Sequence, residues 1–411
     1  MIILIVEMCI NTIYTFSNIG VNTILLYGNY PETTEFINYL EKDSDFFRTT
    51  YPASPNVLTN SGSIFDTSST DLFNSYVTAH QNNLNTLLGF YSSINVIKNH
   101  NNSTPFGLSL AGVRYIFLSS RAMNNIGTLN HYPYLGNNDM LYVYENPNAL
   151  SLGFYVPSDI LNLNVSIDNP IKFSNDFVST YMSEDLAILQ PQKIEYSSDT
   201  SKKNSFIFTD AYRNPISVEK AFEIYSSEED TVNIHDLHMR IHFTSNFDGP
   251  SYLYANEFVG MGTAEVNKPH VYDISFPNKI TDFTSVFDVV TLDEDILNNF
   301  CNIVKQNQME NIEVNNDTIT GTTNYAEDGY TMFSLAYDKG WHAYIDGEEV
   351  PIEDPYDAMM FIKTPKGKHT ITLKYIPYGM KFGRTVSLIF VGITILIYSI
   401  SAYRKRSYKK K

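Results

Sequence analysis

The sequence predicts an α+β fold that is mostly β and has membrane helices at both ends. The chain contains 30 Tyr and 26 Phe, and aromatic side chains favour the pleated surface of strands. Apolar and polar residues alternate through much of its second half, which is typical of half-buried strands. We therefore predict a small α/β domain over residues 27–152 and a β-sandwich or jelly-roll-like domain over residues 153–380.

Charge and composition exclude several classes of protein. The 411 residues carry a net charge of −17, and an acidic body does not suit a nucleic-acid partner, because phosphate binding needs a basic surface. With only two cysteines, no disulfide framework is predicted. No glycine-rich phosphate loop follows a predicted strand, and no Gly-x-Ser-x-Gly motif occurs. We predict no cofactor, and we find no signal for a nucleotide-binding protein or a serine hydrolase.

An apolar run near the C-terminus predicts a transmembrane helix over residues 384–403. The segment 386–403 has no charged residue and is long enough to cross a bilayer. A basic tail over residues 404–411 follows it, and the positive-inside rule places such a tail in the cytoplasm. The acidic body is then extracytoplasmic, on a bacterial cell membrane. The basic anchor consists of Arg404, Lys405, Arg406, Lys409, Lys410 and Lys411.

The N-terminal segment, residues 1–26, is also apolar but is interrupted by polar side chains. Glu7 and Asn11 lie one helical turn apart, and a carboxylate within a bilayer needs a partner. No basic leader or small-residue cleavage site is evident. We therefore predict a membrane helix whose Glu7 and Asn11 face contacts a neighbouring helix of a multispanning partner. The segment looks short, as if Met1 were an internal methionine of a longer frame.

The α/β domain is predicted from mixed local patterns. Pro31 begins a helix-start signal followed by a helical pattern, and residues 80–91 predict a second helix. The segments 113–120 and 140–147 are apolar and read as buried strands.

The second domain is predicted to be mainly β from about Phe154 to Tyr378. In the segment 237–243, Met239, Ile241 and Phe243 share one face, and the polar side chains between them share the other. The segment 370–375 alternates in the same way. One helix is predicted at 292–306, where acidic residues suit the positive end of the helix dipole.

The segment "GWHAYIDGEE" contains the single tryptophan of the chain. Alternation places Trp341 on the apolar face of a strand, so we expect it in the core, with stacking on a sugar as the alternative. Asp346-Gly347 supplies a hairpin turn. Tyr344 falls on the opposite face. It is our candidate for an exposed ring that stacks on a sugar, because aromatic rings pair with apolar sugar faces.

We predict no metal site. His235, His238 and His242 have the spacing of helical metal ligands, but in a strand His235 lies on the opposite face from the other two. The acidic runs "SSEEDT" and "TLDEDI" lack the turn glycine and alternating ligands of a calcium loop. A solvated loop and a helix start explain them.

Two motifs give the chain a resemblance to a known family. "GWHAYIDGEEV" followed by "TPKGKHTITLKYIPYGMKFG" and a membrane helix with a basic end resembles the C-terminal part of the YfhO-like family of bacterial membrane proteins. "FFR" at 46–48, "LLGFYSSINV", "LAGVRYIFLSS" and "YENPNALSLGFYV" follow in the same order. The resemblance covers the whole chain.

The resemblance implies a role in glycosylating the cell envelope. YfhO-like proteins are similar to GT-C glycosyltransferases, whose multispanning core uses a lipid-linked sugar to modify polymers such as lipoteichoic acid. The family's membrane bundle has no counterpart in this sequence, so no catalytic residue is assigned and activity of this chain alone is not expected. The first hypothesis is therefore a membrane-anchored part of such a system, acting on an envelope glycopolymer. The alternative is a non-enzymatic, tethered carbohydrate-binding or scaffold protein.

Overall fold

The protein has the predicted mostly β, α+β fold. The computed structural model describes residues 46–51, 67–70, 72–73, 77–93, 96–98, 103–119, 129, 131–137, 141–210, 212–226, 238–254, 258–275 and 287–408. The predicted N-terminal membrane segment, and the helix predicted from Pro31 up to residue 45, lie outside the described residues.

Strands dominate the described chain. In chain order they are β1 (Arg48–Thr50), β2 (Leu72–Phe73), β3 (Tyr91–Ser93), β4 (Val96–Lys98), β5 (Val113–Ser119), β6 (Tyr134–Asn137), β7 (Leu141–Glu145), β8 (Gly153–Val156), β9 (Leu189–Gln192), β10 (Glu195–Tyr196), β11 (Ser205–Thr209), β12 (His238–Thr244), β13 (Gly249–Tyr254), β14 (Phe258–Ala264), β15 (Pro269–Ser275), β16 (Asp288–Leu292), β17 (Glu310–Asn315), β18 (Thr318–Tyr325), β19 (Gly329–Ala336), β20 (Trp341–Ile345), β21 (Glu348–Val350), β22 (Met359–Thr364) and β23 (Gly367–Tyr375). The helices are α1 (Ala79–Leu87), α2 (Pro105–Leu110), α3 (Pro170–Met182), α4 (Val218–Ser226), α5 (Glu294–Lys305) and α6 (Met380–Tyr408).

The N-terminal part contains a four-stranded sheet with the order β1-β5-β7-β6. Strand β1 is parallel to β5, and the other pairs are antiparallel. Strands β5 and β7 match the two buried strands predicted from the sequence, and α1 matches the helix predicted at 80–91. A three-stranded sheet, β2-β4-β3, completes this part.

Two four-stranded sheets pack on one apolar cluster. Their orders are β10-β11-β12-β15 and β14-β13-β16-β9. Met239, Ile241 and Phe243 of β12 are buried against Leu253 of β13 and Val289 of β16, whereas the polar positions of β12 are partly exposed. The predicted alternation of this strand is therefore confirmed.

Two further sheets share a second cluster. A five-stranded sheet, β17-β18-β23-β20-β21, faces a three-stranded sheet, β22-β19-β8. Ala343 of β20 and Leu373 of β23 are fully buried with Phe333 of β19 and Ile362 of β22. Alternation along β20 and β23 places their apolar side chains on this one face.

The largest cluster joins the sheets to the helices. It contains Phe106 of α2, Phe177 of α3 and Phe300 of α5, together with Phe154 of β8 and Val290 of β16. Side chains from both sides of residue 152 therefore pack together. The division into domains at 152 and 153 stays a prediction, as does sandwich or jelly-roll packing.

Helix α5 confirms the helix predicted at 292–306. Asp293 is the N-cap, and its carboxylate accepts the N–H of Ile296 at 3.1 Å. The acidic run "TLDEDI" is thus a helix start, as predicted. Cys301 is buried in this helix as a free thiol.

The expectation of a single helix between Phe154 and Tyr378 is wrong. Helices α3 and α4 also lie there. In α3, Asn169 accepts the N–H of Lys172 at 2.9 Å, and Pro170 occupies the first turn, where it leaves no helical hydrogen bond unmade. These local capping signals stabilise a helix within a segment that is otherwise rich in strands.

Helix α6 contains the predicted C-terminal membrane segment. Its window Phe382–Ser401 is long and apolar enough to cross a membrane, and none of it is buried against the rest of the protein. Large side chains such as Leu388 and Phe390 are each 64% exposed. Such exposure is disfavoured in water and suits contact with lipid.

Strands β20 and β21 form the hairpin predicted at Asp346-Gly347. Ile345 pairs with Glu348, and both turn residues have positive φ, 51° and 91°. This is the geometry of a two-residue turn of the primed type. Asp346 also binds the neighbouring strand, because its carboxylate accepts the N–H of Thr370 at 2.9 Å and contacts His369 Nδ1 at 2.7 Å.

The Asp346 and His369 pair predicts a pH-dependent contribution to stability. The hydrogen bond to Asp346 raises the pKa of His369, so this contribution is present below the usual pKa of about 6.5 and is lost as pH rises through the higher folded value. Asp346→Asn should lower the pKa of His369, measured by NMR of ring-labelled histidine. Glu349→Gln, which removes the partner of His342 instead, should leave it unchanged. An unaltered His369 pKa in Asp346→Asn would contradict this assignment.

Candidate functional site: a groove at the base of helix α6

A groove of about 920 Å³ lies where the body meets helix α6. Its wall is built from the start of α1, the β17–β18 hairpin, the end of β19, the start of β20, the end of β23 and the start of α6. The lining residues are Thr78, Gln81, Val314, Asn316, Asp317, Ile319, Ala336, Tyr337, Asp338, Trp341, Lys374, Tyr375, Ile376, Pro377, Met380 and Arg384.

Aromatic rings form one side of the groove. Trp341 and Tyr375 are cross-strand partners, and their ring centroids are 5.0 Å apart with the planes inclined by 60°. Trp341 packs against the buried cluster around Ala343, yet it is only half-buried. The full burial expected from the sequence is therefore not observed, because Trp341 begins its strand at the rim of the sheet and borders the groove.

Gly340 allows the wall to close next to Trp341. A Cβ atom at this position would lie 2.7 Å from the Ile376 carbonyl oxygen and 2.8 Å from the Tyr375 ring. The Ile376 N–H donates to the Gly340 carbonyl at 2.8 Å. A glycine is thus required where two backbone segments come this close.

The turn before β20 is held by Asp338. Its carboxylate accepts the N–H of Gly340 at 2.7 Å, and its carbonyl accepts the N–H of Trp341 at 3.0 Å. Burial, followed by the nearby Asp338 carboxylate, raises the pKa of Tyr375. The Tyr375 hydroxyl therefore stays protonated at neutral pH and is able to donate a hydrogen bond.

Charged groups of both signs complete the lining. Lys374 and Arg384 are basic, and Asp317 and Asp338 are acidic. A mainly apolar groove with a few charged and polar groups is typical of a site that binds an organic ligand. Aromatic rings suit the CH-rich faces of sugars, and the two cations suit phosphate or carboxylate groups.

The groove lies at the level where the membrane segment begins. Met380 and Arg384 both line it and belong to the first two turns of α6, around the start of the apolar window at Phe382. Trp, Tyr, Lys and Arg are the residues that anchor proteins at the membrane–water boundary. A ligand in the groove would therefore be held close to the bilayer surface.

The sequence-predicted binding residue, Tyr344, does not line the groove. It lies on β20, paired with Thr372 and Glu349, on the sheet face opposite Ala343. His342 shares that face and contacts Glu349 at 2.9 Å. The role proposed for Tyr344 in stacking on a sugar stays a prediction.

The other predicted site residues lie partly outside the described residues. Glu7 and Asn11 fall there, as do the anchor residues Lys409 to Lys411. Arg404, Lys405 and Arg406 lie on the last turns of α6.

The histidines that were considered as metal ligands lie on β12 or just before it. His238 and His242 lie on its partly exposed face, and His235 is outside the described residues, as is most of "SSEEDT". Between them, Arg240 donates two hydrogen bonds to Asp273 across the sheet, at 2.7 and 3.0 Å.

Sequence reasoning missed the groove. A signal was present in the segment "LKYIPYGMKFGR", which places basic and aromatic residues immediately before an apolar helix. That signal marks a membrane boundary, but it does not show that the start of α1 and the β17–β18 hairpin come to the same place.

The fold and the groove define a membrane protein with a mostly β body and a ligand-sized groove beside its apolar helix. The family model described as "Bacterial membrane protein YfhO" matches residues 1–387. The chain belongs to this family, which confirms the resemblance seen in the sequence.

Comparison with single proteins adds one relative. The chain is 30% identical over 97 residues to "Uncharacterized protein YfhO" of Bacillus subtilis (strain 168). The matched segment spans 23% of this chain and 11% of that protein. No solved structure matches the chain.

Proposed function

We propose that this protein is the membrane-anchored, extracytoplasmic part of a GT-C type glycosyltransferase system that glycosylates cell-envelope polymers such as lipoteichoic acid. In this proposal the groove at the base of α6 holds the acceptor polymer, and a multispanning core supplies the catalytic groups. The chain is not catalytic on its own.

The observation that carries the proposal is the position and lining of the groove. Trp341 and Tyr375 offer aromatic faces, and Lys374 and Arg384 offer cations, directly beside the membrane segment. A polymer anchored in the same membrane and containing both sugar rings and phosphates matches this lining. Membership of the family supports the link to envelope glycosylation, and the basic end of α6 supports an extracytoplasmic body.

Lys374→Glu tests this proposal in the native bacterium. Lys374 is exposed, so the substitution leaves the core unchanged but places a repelling charge in the groove. A hydrogen bond to a charged group is worth about 1.5–3 kcal/mol, and we therefore expect the sugar content of the polymer to fall about tenfold or more. The sugar-to-phosphate ratio of purified lipoteichoic acid measures this effect.

Lys368→Glu is the matched control. Lys368 lies six residues earlier on β23, on the same sheet face and also exposed, but it does not line the groove. Both variants change the net charge identically, and immunoblots of membranes check their abundance. Equal sugar content in Lys374→Glu, Lys368→Glu and the unaltered protein would overturn the assignment of the groove.

The second candidate is a tethered carbohydrate-binding or scaffold protein without a catalytic partner. It is favoured by the aromatic pair Trp341 and Tyr375 in the groove lining, because ring faces suit sugars whether or not a catalytic partner is present. Purification from native membranes in mild detergent separates the two functions. Recovery with a multispanning glycosyltransferase-like protein, or within a longer polypeptide, supports the first, and recovery of the chain alone supports the second.

A further inference from the structure

Three side chains able to bind a metal ion, from two distant segments, meet next to residues that line the groove. They are His80 of α1 and, in the loop between β21 and β22, Asp354 and Asp357. One ligand atom from each lies within 4.8 Å of the other two, and His80 Nε2 is 3.1 Å from Asp354 Oδ2. Bonds from Zn²⁺ to nitrogen and oxygen ligands are about 2.0–2.2 Å long, so two ligand atoms on one ion are at most about 4.4 Å apart. A small movement of these side chains is enough to bring all three ligand atoms onto one ion.

Contacts outside the cluster orient these ligands. The Ala358 N–H donates to Asp354 Oδ1 at 2.8 Å, which leaves Oδ2 facing His80. The Asn83 side chain of α1 donates to the Asp357 carbonyl at 2.9 Å and fixes the loop on the helix. The His80 ring packs against Tyr337, with centroids 5.2 Å apart. Such supporting contacts are characteristic of metal sites, because they hold each ligand in its binding orientation.

A simple ion pair between His80 and Asp354 does not explain why a second carboxylate, that of Asp357, lies beside them. The Asp354 side chain is only 11% exposed, and a carboxylate oxygen of Asp357 lies within 4.8 Å of its own. A second carboxylate close to the first is therefore unfavourable when only one imidazole is present. A divalent cation would remove this repulsion and balance both carboxylates.

We propose that His80, Asp354 and Asp357 bind one divalent transition-metal ion of the Zn²⁺ class. An imidazole ligand favours Zn²⁺ over Ca²⁺ or Mg²⁺, which prefer oxygen ligands alone. Three protein ligands leave at least one coordination position for water or for a ligand group.

The ion would also stabilise the wall of the groove. The Tyr337 N–H donates to the Ala358 carbonyl at 2.9 Å, so the ligand loop and the end of β19 are joined. Tyr337 and Gln81 both line the groove, and each adjoins a metal-binding segment. This inference concerns metal binding and does not depend on the proposed glycosyltransferase role.

The test is calorimetric titration of Zn²⁺ into the full chain in detergent, purified without a polyhistidine tag and freed of metal with a chelator. We expect one site that Asp357→Asn weakens at least tenfold. Asp357 is exposed and its carboxylate is outside the His80–Asp354 pair, so Asp357→Asn should keep the fold, as circular dichroism verifies. Asp159→Asn, at another exposed position, should bind Zn²⁺ normally.

Two results would overturn the proposal. One is the absence of Zn²⁺ binding by the unaltered chain, and the other is equal affinity in Asp357→Asn and the unaltered chain. A second readout is thermal unfolding, because an ion that binds only the folded state raises the melting temperature. We expect Zn²⁺ to stabilise the unaltered chain and Asp159→Asn, but not Asp357→Asn, and we expect Ca²⁺ to have a smaller effect.

Discussion

Replacing Arg48 with Met should lower the free energy of unfolding by about 3–5 kcal/mol. The Arg48 guanidinium donates to the Ala111 carbonyl at 2.6 Å, and to the Ser334 hydroxyl and carbonyl at 2.8 and 3.0 Å. Burial lowers the pKa of Arg48 to about 10, so it remains charged at neutral pH. Met fills a similar length but leaves three acceptors unpaired, and each hydrogen bond to a charged group is worth about 1.5–3 kcal/mol.

Arg213→Met is the control for Arg48→Met. Arg213 is 45% exposed and reaches Asp273 only at 3.9 Å, so its loss should change stability by less than about 0.5 kcal/mol. Urea unfolding in detergent, followed by the fluorescence of the single tryptophan, measures both variants. Similar urea midpoints for Arg48→Met and Arg213→Met would show that the Arg48 hydrogen bonds to Ala111 and Ser334 do not stabilise the fold.

Phe300→Ala should cost about 3–5 kcal/mol by leaving a cavity in the largest buried cluster. The Phe300 ring is fully buried and lies 5.8 Å from Phe106, 6.1 Å from Phe177 and 5.2 Å from Tyr181, measured between centroids. These rings belong to α2, α3 and α5, so one truncation weakens the packing among three helices.

Asn299→Ala is the matched substitution for Phe300→Ala. Asn299 is the preceding residue of α5 and is exposed, so Ala should be tolerated there or stabilise the helix slightly. The same urea titration compares the two. A loss below about 1 kcal/mol in Phe300→Ala would mean that the cluster collapses around the missing ring and is packed less tightly than the structure indicates.

Local patterns explain which elements the sequence predicted well. Helix α5 has an Asp293 cap, acidic first-turn residues and an apolar face within fifteen residues, and β12 alternates strictly over seven. The Asp346-Gly347 turn needs only two residues with positive φ. In each case the residues that determine the element lie within the element or next to it. Their pattern can therefore be recognised in a single sequence.

Non-local pairing explains what the sequence did not predict. Tyr330 of β19 pairs with Val156 of β8, and Val289 of β16 pairs with Gln192 of β9. Alternation along a strand determines which face is apolar, but it does not determine which strand lies beside it. The order of strands in each sheet therefore could not be derived from these patterns.

The groove and the metal-ligand cluster depend on the same non-local pairing. Trp341 was recognised as apolar-facing, but its partner Tyr375 and the nearby Gln81 come from other segments. His80 and Asp354 are 274 residues apart in sequence, and neither lies in a metal-binding motif. Helix α3 was missed for a different reason, because the cap at Asn169 and Pro170 was local but lay in a segment interpreted as strands.

The position of the groove beside the membrane segment has a consequence for how a ligand reaches it. Because Met380 and Arg384 of α6 line it, the groove and the membrane-anchored acceptor of the proposed function would share one thin layer. The search for the groove is then two-dimensional, and confinement raises the effective concentration of the ligand well above its value in bulk solution. For that acceptor, weak contacts with each sugar or phosphate would be sufficient, and a long polymer would be able to move through the groove unit by unit.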